Sequence, residues 1–391
     1  MDRSGLGRIL VLLCSTALLA TACASGAGTA APSAAPTTAA TAAPTAVPTA
    51  LPADTTGSLT ILDWAGYDAP DFWTDFQSAY KNVKVNFEIG ASDADIYGKM
   101  LAGDQADLFH PYSGWFQLYV DAGLVEEIDT SRLKNWSKVP DAFKKIGQVN
   151  GKQYFVPWDW GFSSILYRTD KIPNVDSWDV LFNDQYKGHL SMWDDGPGAV
   201  TVSAYVHGYD ETNITSDQLT AIQAEWTAQA KLNKTYWTAP SDLEALMNSG
   251  DVWAGYAWQG SFAVTKGAGT PVAYANPKEG RNSWVGLYGI SSKSQNYDLD
   301  LRFLDEKLAL LTGQNLVNLY YYGSANQDVM NGLSDPAQAD TFGGAETQAL
   351  LKSTFSIDDP AILQHTNFTP NLTADQRDAW TAMWTEVKAA Q

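Results

Sequence analysis

From Ser58 to Tyr112, short apolar strands alternate with amphipathic helices. A chain so patterned is driven toward a parallel sheet flanked by helices. SLTILDW (58–64) is the first expected strand and ends at Asp63-Trp64. Phe72, Trp73, Phe76 and Tyr80 then recur at helical spacing behind Pro70, a residue suited to a first helical turn. NVKVNFEIG (82–90) alternates as a second strand, DADIYGKMLAG (93–103) predicts a helix closed by Gly103, and ADLFHPY (106–112) predicts a third strand. Ligands of such sheets bind beyond the carboxyl ends of the strands. Trp64, Tyr67, Tyr112, Ser113 and Trp115 fall there.

A second unit with the same grammar starts near Lys152. Tyr154 to Pro157 and Ser164 to Tyr167 are strand-like, and 177–195 leads a helix into a strand ending at Trp193-Asp194-Asp195. Residues 216–232 predict a helix with Ser216 as N-cap, and 241–258 a helix capped near Ser241, closed by Gly250 and followed by a strand reaching Trp258. The tail is helical over Leu301–Thr312, Gly313–Tyr321 and Ala374–Ala389.

Composition removes several function classes. The formal charge of −19 repels phosphate backbones, so nucleic acid is not an expected partner. Such a surface raises the local cation concentration, within a screening distance of about 8 Å at physiological salt. The two cysteines are Cys14 and Cys23, so the body beyond Cys23 can hold no disulfide, thiol nucleophile or cysteine-based zinc site. His110, His189, His207 and His365 are scattered without ligand-like spacing; neither a metal nor a cofactor is expected. No Gly-x-Ser-x-Gly, His-Glu-x-x-His or phosphate-loop pattern is present. Asp194-Asp195 could suggest a glycosidase pair, but adjacent strand residues face opposite ways.

The first 23 residues read as an address. Arg3 and Arg8 precede an apolar run from Ile9 to about Ala20, too short for a span of about 20 residues. Leu19-Ala20-Thr21-Ala22-Cys23 resembles a bacterial lipobox, with Ala20 where leucine is usual; the resemblance implies cleavage before Cys23 and lipidation of its thiol, which would hold the protein at a membrane surface. Residues 24–56 are nearly all Ala, Thr, Pro, Gly and Ser, a composition expected to form an unstructured tether.

The chain holds 15 tryptophans, and an indole N–H needs a partner when buried. Several lie in stretches that together resemble the solute-binding proteins of ABC importers, most closely the polyamine (spermidine/putrescine)-binding type. Those stretches are ILDWAGYDAPDFWTDF (61–76), MLAGDQADLFHPYSGW (100–115), VEEIDTSRLKNW (125–136), YFVPWDWGFSSILYRTDKI (154–172), SWDVLFNDQYKGHLSMWDD (177–195), GYAWQGSFAV (255–264), GTPVAYANPKEGRNSW (269–284) and YYYGSAN (320–326). Their shared order over Leu59–Asn326 carries the resemblance.

The resemblance implies a two-lobed periplasmic-binding-protein-like α/β fold, each lobe a mostly parallel sheet flanked by helices and hinged by crossover segments. The expected organisation is a signal peptide at 1–23, a tether at 24–56, lobe 1 at 57–160 with 286–320, and lobe 2 at 161–285 with 321–391. It also implies that Trp64, Tyr67, Tyr112, Ser113, Asp195, Trp258, Trp284 and Tyr322 face the ligand, with Trp160, Trp193 and Gln259 as second-rank candidates. Polyamine binders place further carboxylates where this chain has Gly198 and Gly286, and a buried ammonium without a counter-ion is costly. Asp194, Asp159 or Asp68 could substitute.

Rings around one acid suit a single cationic head, so the expected ligand is a small nitrogenous cation: polyamine-like, a quaternary amine or an amino-acid derivative. The implied partners are an ABC permease with its ATPase, and the implied state is a monomer anchored at the cell surface or in the periplasm. A sugar binder of the same fold and a cell-surface hydrolase are the alternatives.

Overall fold

The structure is a computed structural model and describes residues 51–390 apart from 360, 363 and 364. The expected signal peptide and all but the last residues of the tether lie outside the described residues.

Thirteen strands are formed among the described residues: β1 (Thr56–Trp64), β2 (Asn82–Gly90), β3 (Leu108–Phe109), β4 (Gln148–Val149), β5 (Lys152–Gln153), β6 (Phe155–Arg168), β7 (Leu190–Trp193), β8 (Asn233–Trp237), β9 (Ala254–Trp258), β10 (Val272–Tyr274), β11 (Arg281–Ile290), β12 (Gly323–Ser324) and β13 (Thr366–Phe368). Eleven of them join one sheet whose main path runs β2-β1-β3-β11-β6-β9-β7-β8. The wings are parallel, β1 with β2 and β3 in the first half, β7 with β8 and β9 in the second. The centre is antiparallel: β6 pairs with β11 on one side and β9 on the other. The fold is therefore α/β and two-lobed, with two parallel wings sharing one central ladder.

The strand-helix alternation is as the sequence predicts, but several boundaries move. The two strand-like pieces at 154–157 and 164–167 are parts of one strand, β6, in which every residue but Arg168 is buried. Asp159 and Gly161 interrupt the apolar run, yet the strand continues through both, with a shift in its pairing to β11 between Pro157 and Trp160. Residues 177–187 form two short 3-10 turns instead of a helix, because the Ser177 and Asn183 side chains accept from backbone N–H groups two residues on and so compete with helix propagation. Thr215, rather than Ser216, caps the helix Ser216–Gln229, in a reciprocal box with Gln218. The helix expected to be capped near Ser241 is Pro240–Ser249, with its N-cap two residues earlier, at Ala239. The tail helices are Tyr297–Lys307 and Leu310–Tyr320.

Three buried indoles of the second half satisfy their N–H groups within the core. Trp178, Trp226, Trp237, Trp380 and Trp384 lie in the core of the second half. Trp226 Nε1 donates to Ala199 O at 3.0 Å and Ser203 Oγ at 2.9 Å, Trp178 Nε1 to Gly280 O at 2.9 Å, and Trp237 Nε1 to Tyr256 O at 3.0 Å. Trp158 anchors the core of the first half with Phe72, Tyr288 and Phe303. The last helix, Ala374–Ala389, packs on Gly196–His207 and Ser216–Gln229, whereas β12 and the helix Gln327–Gly332 pack on Leu310–Tyr320.

β6 and β11 run from one half into the other, and β13 pairs with β11 ahead of the last helix. One buried side chain ties β6 to the end of the helix Leu310–Tyr320. Gln259 Oε1 accepts the Phe162 N–H, and its Nε2 donates to Tyr321 O at 3.2 Å. Gln259→Leu would leave those backbone groups buried without partners, at about 1–3 kcal/mol. Urea denaturation should show a loss of that size.

Candidate functional site

A break in the alternation of β6 decides the site. Trp158 packs with Val156 and Tyr288 in one core, whereas Trp160 and Phe162 pack with Val285 and Leu287 in another, because β6 covers three residues from Pro157 to Trp160 against two from Leu287 to Val285 on β11. Asp159 lies in that bulge. Asp159 is fully buried, and aromatic side chains from four separate segments gather around it. Tyr67 Oη donates to Asp159 Oδ2 at 2.9 Å and Tyr112 Oη to the same oxygen at 3.1 Å. The two phenol oxygens are themselves 2.9 Å apart. Ring contacts continue from Trp64 to Tyr112 at 5.3 Å, Tyr112 to Trp284 at 5.3 Å and Trp284 to Tyr322 at 4.8 Å. Tyr320 closes the circuit, 6.1 Å from Tyr322 and 5.3 Å from Tyr67. Trp64 is pinned by its Nε1, which donates to His110 O at 2.8 Å.

Behind this wall lies a buried charge network. His110 Nδ1 is 2.7 Å from Asp63 Oδ1, and its Nε2 is 3.4 Å from Asp159 Oδ1. Burial opposes a charge on His110, but the flanking Asp63 and Asp159 outweigh it and push the imidazole up to about 9. Burial would likewise raise Asp63; His110 and Lys307 together hold it below the usual carboxylate range. Tyr288 adds a hydrogen bond to Asp63 Oδ2. The Lys307 ammonium lies 4.2 Å from the Trp158 ring centroid and 5.1 Å from Tyr288 and Phe303. Burial lowers its pKa to about 8 against the pull of Asp63, Glu306 and Asp159.

Gly286 makes this arrangement possible. A Cβ there would fall into Asp159 Oδ1 and within 2.5 Å of His110 Nε2. β6 carries one extra residue opposite Val285–Leu287, its pairing passing from Pro157 to Trp160, so the bulge lies on the strand that bears the carboxylate. Asp159 thus occupies the space that a side chain at 286 would need. Asp194 is engaged elsewhere, accepting from Trp384 Nε1 at 2.8 Å and pairing with Lys388, and Asp68 is exposed.

Asp195 and Trp258 belong to a second group. Asp195 caps the helix Gly196–His207, accepting the Gly198 N–H at 2.6 Å. Trp258 meets Trp193 at 5.4 Å and Trp237 at 5.2 Å. Trp193 also stacks on Trp237 and Tyr256. From the first half, Asp93 accepts the Tyr112 N–H at 2.8 Å. Burial pushes Asp195 and Asp93 each up to about 6, against the lowering pull of a backbone N–H and of Arg377.

Arg377, on the last helix, joins the halves. Its Nη2 donates to Gly114 O at 2.5 Å and its guanidinium lies 3.6 Å from the Trp115 ring centroid. Gly114 has φ +93, and a Cβ there would meet Pro370 O at 2.8 Å, so only glycine suits this close approach.

Of the sequence-predicted residues, Trp64, Tyr67, Tyr112, Trp284 and Tyr322 are brought together, and Asp195, Trp193 and Trp258 form the second group. Three others are held by backbone. Ser113 is buried and its Oγ accepts the Val285 N–H. Trp160 Nε1 donates to Ser324 O in the core, and the Gln259 amide is engaged as described. Sequence reasoning ranked Asp159 only as a substitute and missed Tyr320, Asp93 and Arg377. For Asp159 no local signal existed: its place depends on a bulge in β6 that only the pairing with β11 shows.

The chain matches the bacterial extracellular solute-binding protein family over residues 72–340. The putrescine-binding periplasmic protein of Escherichia coli (strain K12) is 26% identical over 292 residues, 69% of this chain and 78% of that protein. The spermidine/putrescine-binding periplasmic protein of the same organism is 27% identical over 259 residues, 65% of this chain and 73% of its own length. The solved spermidine/putrescine ABC transporter substrate-binding protein of Streptococcus pneumoniae superposes with a TM-score of 0.69 at 18% identity, covering 86% of this chain and 99% of that one; this likeness concerns the fold. No helix among the described residues is long and apolar enough to cross a membrane. The chain belongs to the bacterial extracellular solute-binding proteins, the solute-capturing components of ABC importers, and not to an enzyme family.

Proposed function

We propose that this protein captures a small cationic nitrogenous solute in an aromatic cleft and, by hinge closure, presents it to an ABC permease and its ATPase. The carrying observation is the ring circuit of Trp64, Tyr112, Trp284, Tyr322, Tyr320 and Tyr67 around Asp159. Each ring face attracts a cation by ~0.5–1 kcal/mol when exposed and ~2 kcal/mol or more when desolvated. The lobes in this reading are 57–160 with 286–320, and 161–285 with 321–391, except that β12 and Gln327–Gly332 move to the first, since Val329, Met330 and Leu333 share a core with Leu62 and Ile96. Asp195, Trp193 and Trp258 supply the second lobe's face. Ligand shifts the hinge by its differential affinity for the closed form.

Calorimetry with putrescine, spermidine, choline-like and amino-acid-derived cations is expected to give saturable binding for at least one, weakened tenfold or more by Trp64→Ala. Binding of maltooligosaccharides with no cation bound would replace this reading with a sugar receptor.

Affinity should depend on pH with a definite sign. Asp93 and Asp195 lie near 6, above the ordinary carboxylate value, so the fold favours their protonated forms and their stabilising effect is lost as pH rises through about 6. A bound cation reverses the preference by favouring the ionised forms. Cation affinity is therefore expected to fall as pH drops through about 6, by up to about tenfold per pH unit while one carboxyl titrates. Titrations at pH 7.5 and 5 check it; equal affinities would remove both acids from the site.

We also propose that Cys23 carries a lipid anchor that keeps the receptor near its permease and raises its effective concentration there. Cys23→Ser is expected to release the protein from the membrane fraction and to abolish labelling by radioactive palmitate.

A further inference from the structure

Three oxygens, Asp159 Oδ2, Tyr67 Oη and Tyr112 Oη, form a triangle with sides of 2.9, 2.9 and 3.1 Å. Two hydroxyl protons and one negative charge are shared among them. Where both hydroxyls donate inside the triangle, either both to the carboxylate or one to it and one to the neighbouring phenol, any lone pair turned outward is an acceptor; turning the Tyr112 hydroxyl outward would leave Asp159 Oδ2 with one donor fewer. Tyr112 is half-buried and its ring contacts those of Trp64 and Trp284, so its phenol belongs to the aromatic wall.

The back of the triangle is fixed. His110 sits 3.4 Å from Asp159 Oδ1 and 2.7 Å from Asp63, and Gly286 leaves the carboxylate its space. The triangle cannot turn its charge away from the site without breaking that network.

Aromatic rings alone attract a permethylated ammonium at least as well as one with N–H groups, because a permethylated head has no hydrogen bonds to lose on leaving water. An anionic acceptor set changes the order. An N–H donor pressed against it regains the hydrogen bonds it gave up, while a methyl group there strips water from charged oxygen and returns nothing.

We propose that Asp159, acting through Tyr67 and Tyr112, makes this site select ammonium heads that carry N–H groups over their permethylated counterparts. Asp159 is a positioning residue in this role: it sets which way the phenol protons point. The inference rests on the cation-binding reading above and narrows it.

The test is calorimetry on the full-length protein with three matched pairs: ethanolamine and choline, glycine and glycine betaine, putrescine and its hexamethyl bis-quaternary analogue. The N–H member of any pair that binds is expected to bind at least tenfold more tightly. In Asp159→Asn the amide NH2 donates to a phenol and frees a hydroxyl proton to point outward, and the ratio within each pair is expected to fall at least fivefold. Tyr112→Phe keeps the ring and removes one oxygen, so it should lower the ratio while changing the permethylated member's affinity less than twofold. It decides the matter if Asp159→Asn does not fold. Structural damage alone would weaken both members together and leave the ratio unchanged. A permethylated member that binds the native protein as tightly as its partner, or a ratio unmoved in the folded variants, overturns this inference alone. Failure of all six compounds and of spermidine overturns the cation reading itself.

Discussion

Everything in this molecule hangs on the pairing of β6 with β11. β6 is 14 residues long, paired along one edge with β11 from Phe155 to Ser163 and along the other with β9 from Ser163 to Tyr167. The two parallel wings never pair with one another; they are joined through this antiparallel centre. The bulge between Pro157 and Trp160 splits the strand's aromatics, Trp158 going to the core shared with Tyr288, and Trp160 and Phe162 to the core shared with Val285 and Leu287, and it leaves Asp159 at the crossing point. Moving that bulge by one residue would exchange what the two faces receive.

That geometry forces a buried carboxylate, and the surrounding charges follow from it. Ionised groups removed from water cost several kcal/mol each unless paired. Asp159 and Asp63 are met by one imidazolium between them and one ammonium behind. Lys307 is held by ring faces as well as by distant carboxylates, a protein-borne ammonium caged much as a ligand's would be. The network leaves the first half's wall close to neutral overall while keeping negative charge on the oxygens that face the rings. Its stability is bought with a steric constraint at position 286, where no side chain fits.

Much of the fold was legible in the sequence because helix and strand periods differ and because the strands end on aromatic and acidic residues. The alternation after Ser58, the place of Tyr67 and Tyr112 beyond strand ends, and the capping role at the start of Ser216–Gln229 follow from local pattern, within a residue or so, whereas Trp284 and Tyr322 came from the resemblance to solute-binding proteins. Three things were not legible. The continuity of β6 was hidden by Asp159 and Gly161, since burial of a polar residue depends on partners 47 and 92 residues away. The crowding of position 286 by Asp159 is a relation between neighbouring strands, which only register reveals. Arg377 sits on a helix whose pattern reads as ordinary amphipathic surface, and its role comes from Gly114 and Trp115, some 260 residues earlier.

Arg377 also bears on how freely the two halves can move. Asp93 starts a helix in the first half and Asp195 caps one in the second, so bringing the halves together brings two like charges together, and burial raises both carboxyls. The guanidinium faces both acids while it stacks on Trp115, and that same burial lowers its own pKa to about 10. In the hinge closure proposed above, the closed arrangement would carry an internal cation that relieves the repulsion between the two acids. Any solute can then favour closure only by what it adds beyond that cation, since an equilibrium between two forms shifts solely by the difference in affinity for them. A ligand that merely repeated the guanidinium's charge would gain little; one that also fills the ring circuit around Asp159 would gain the contacts Arg377 cannot make.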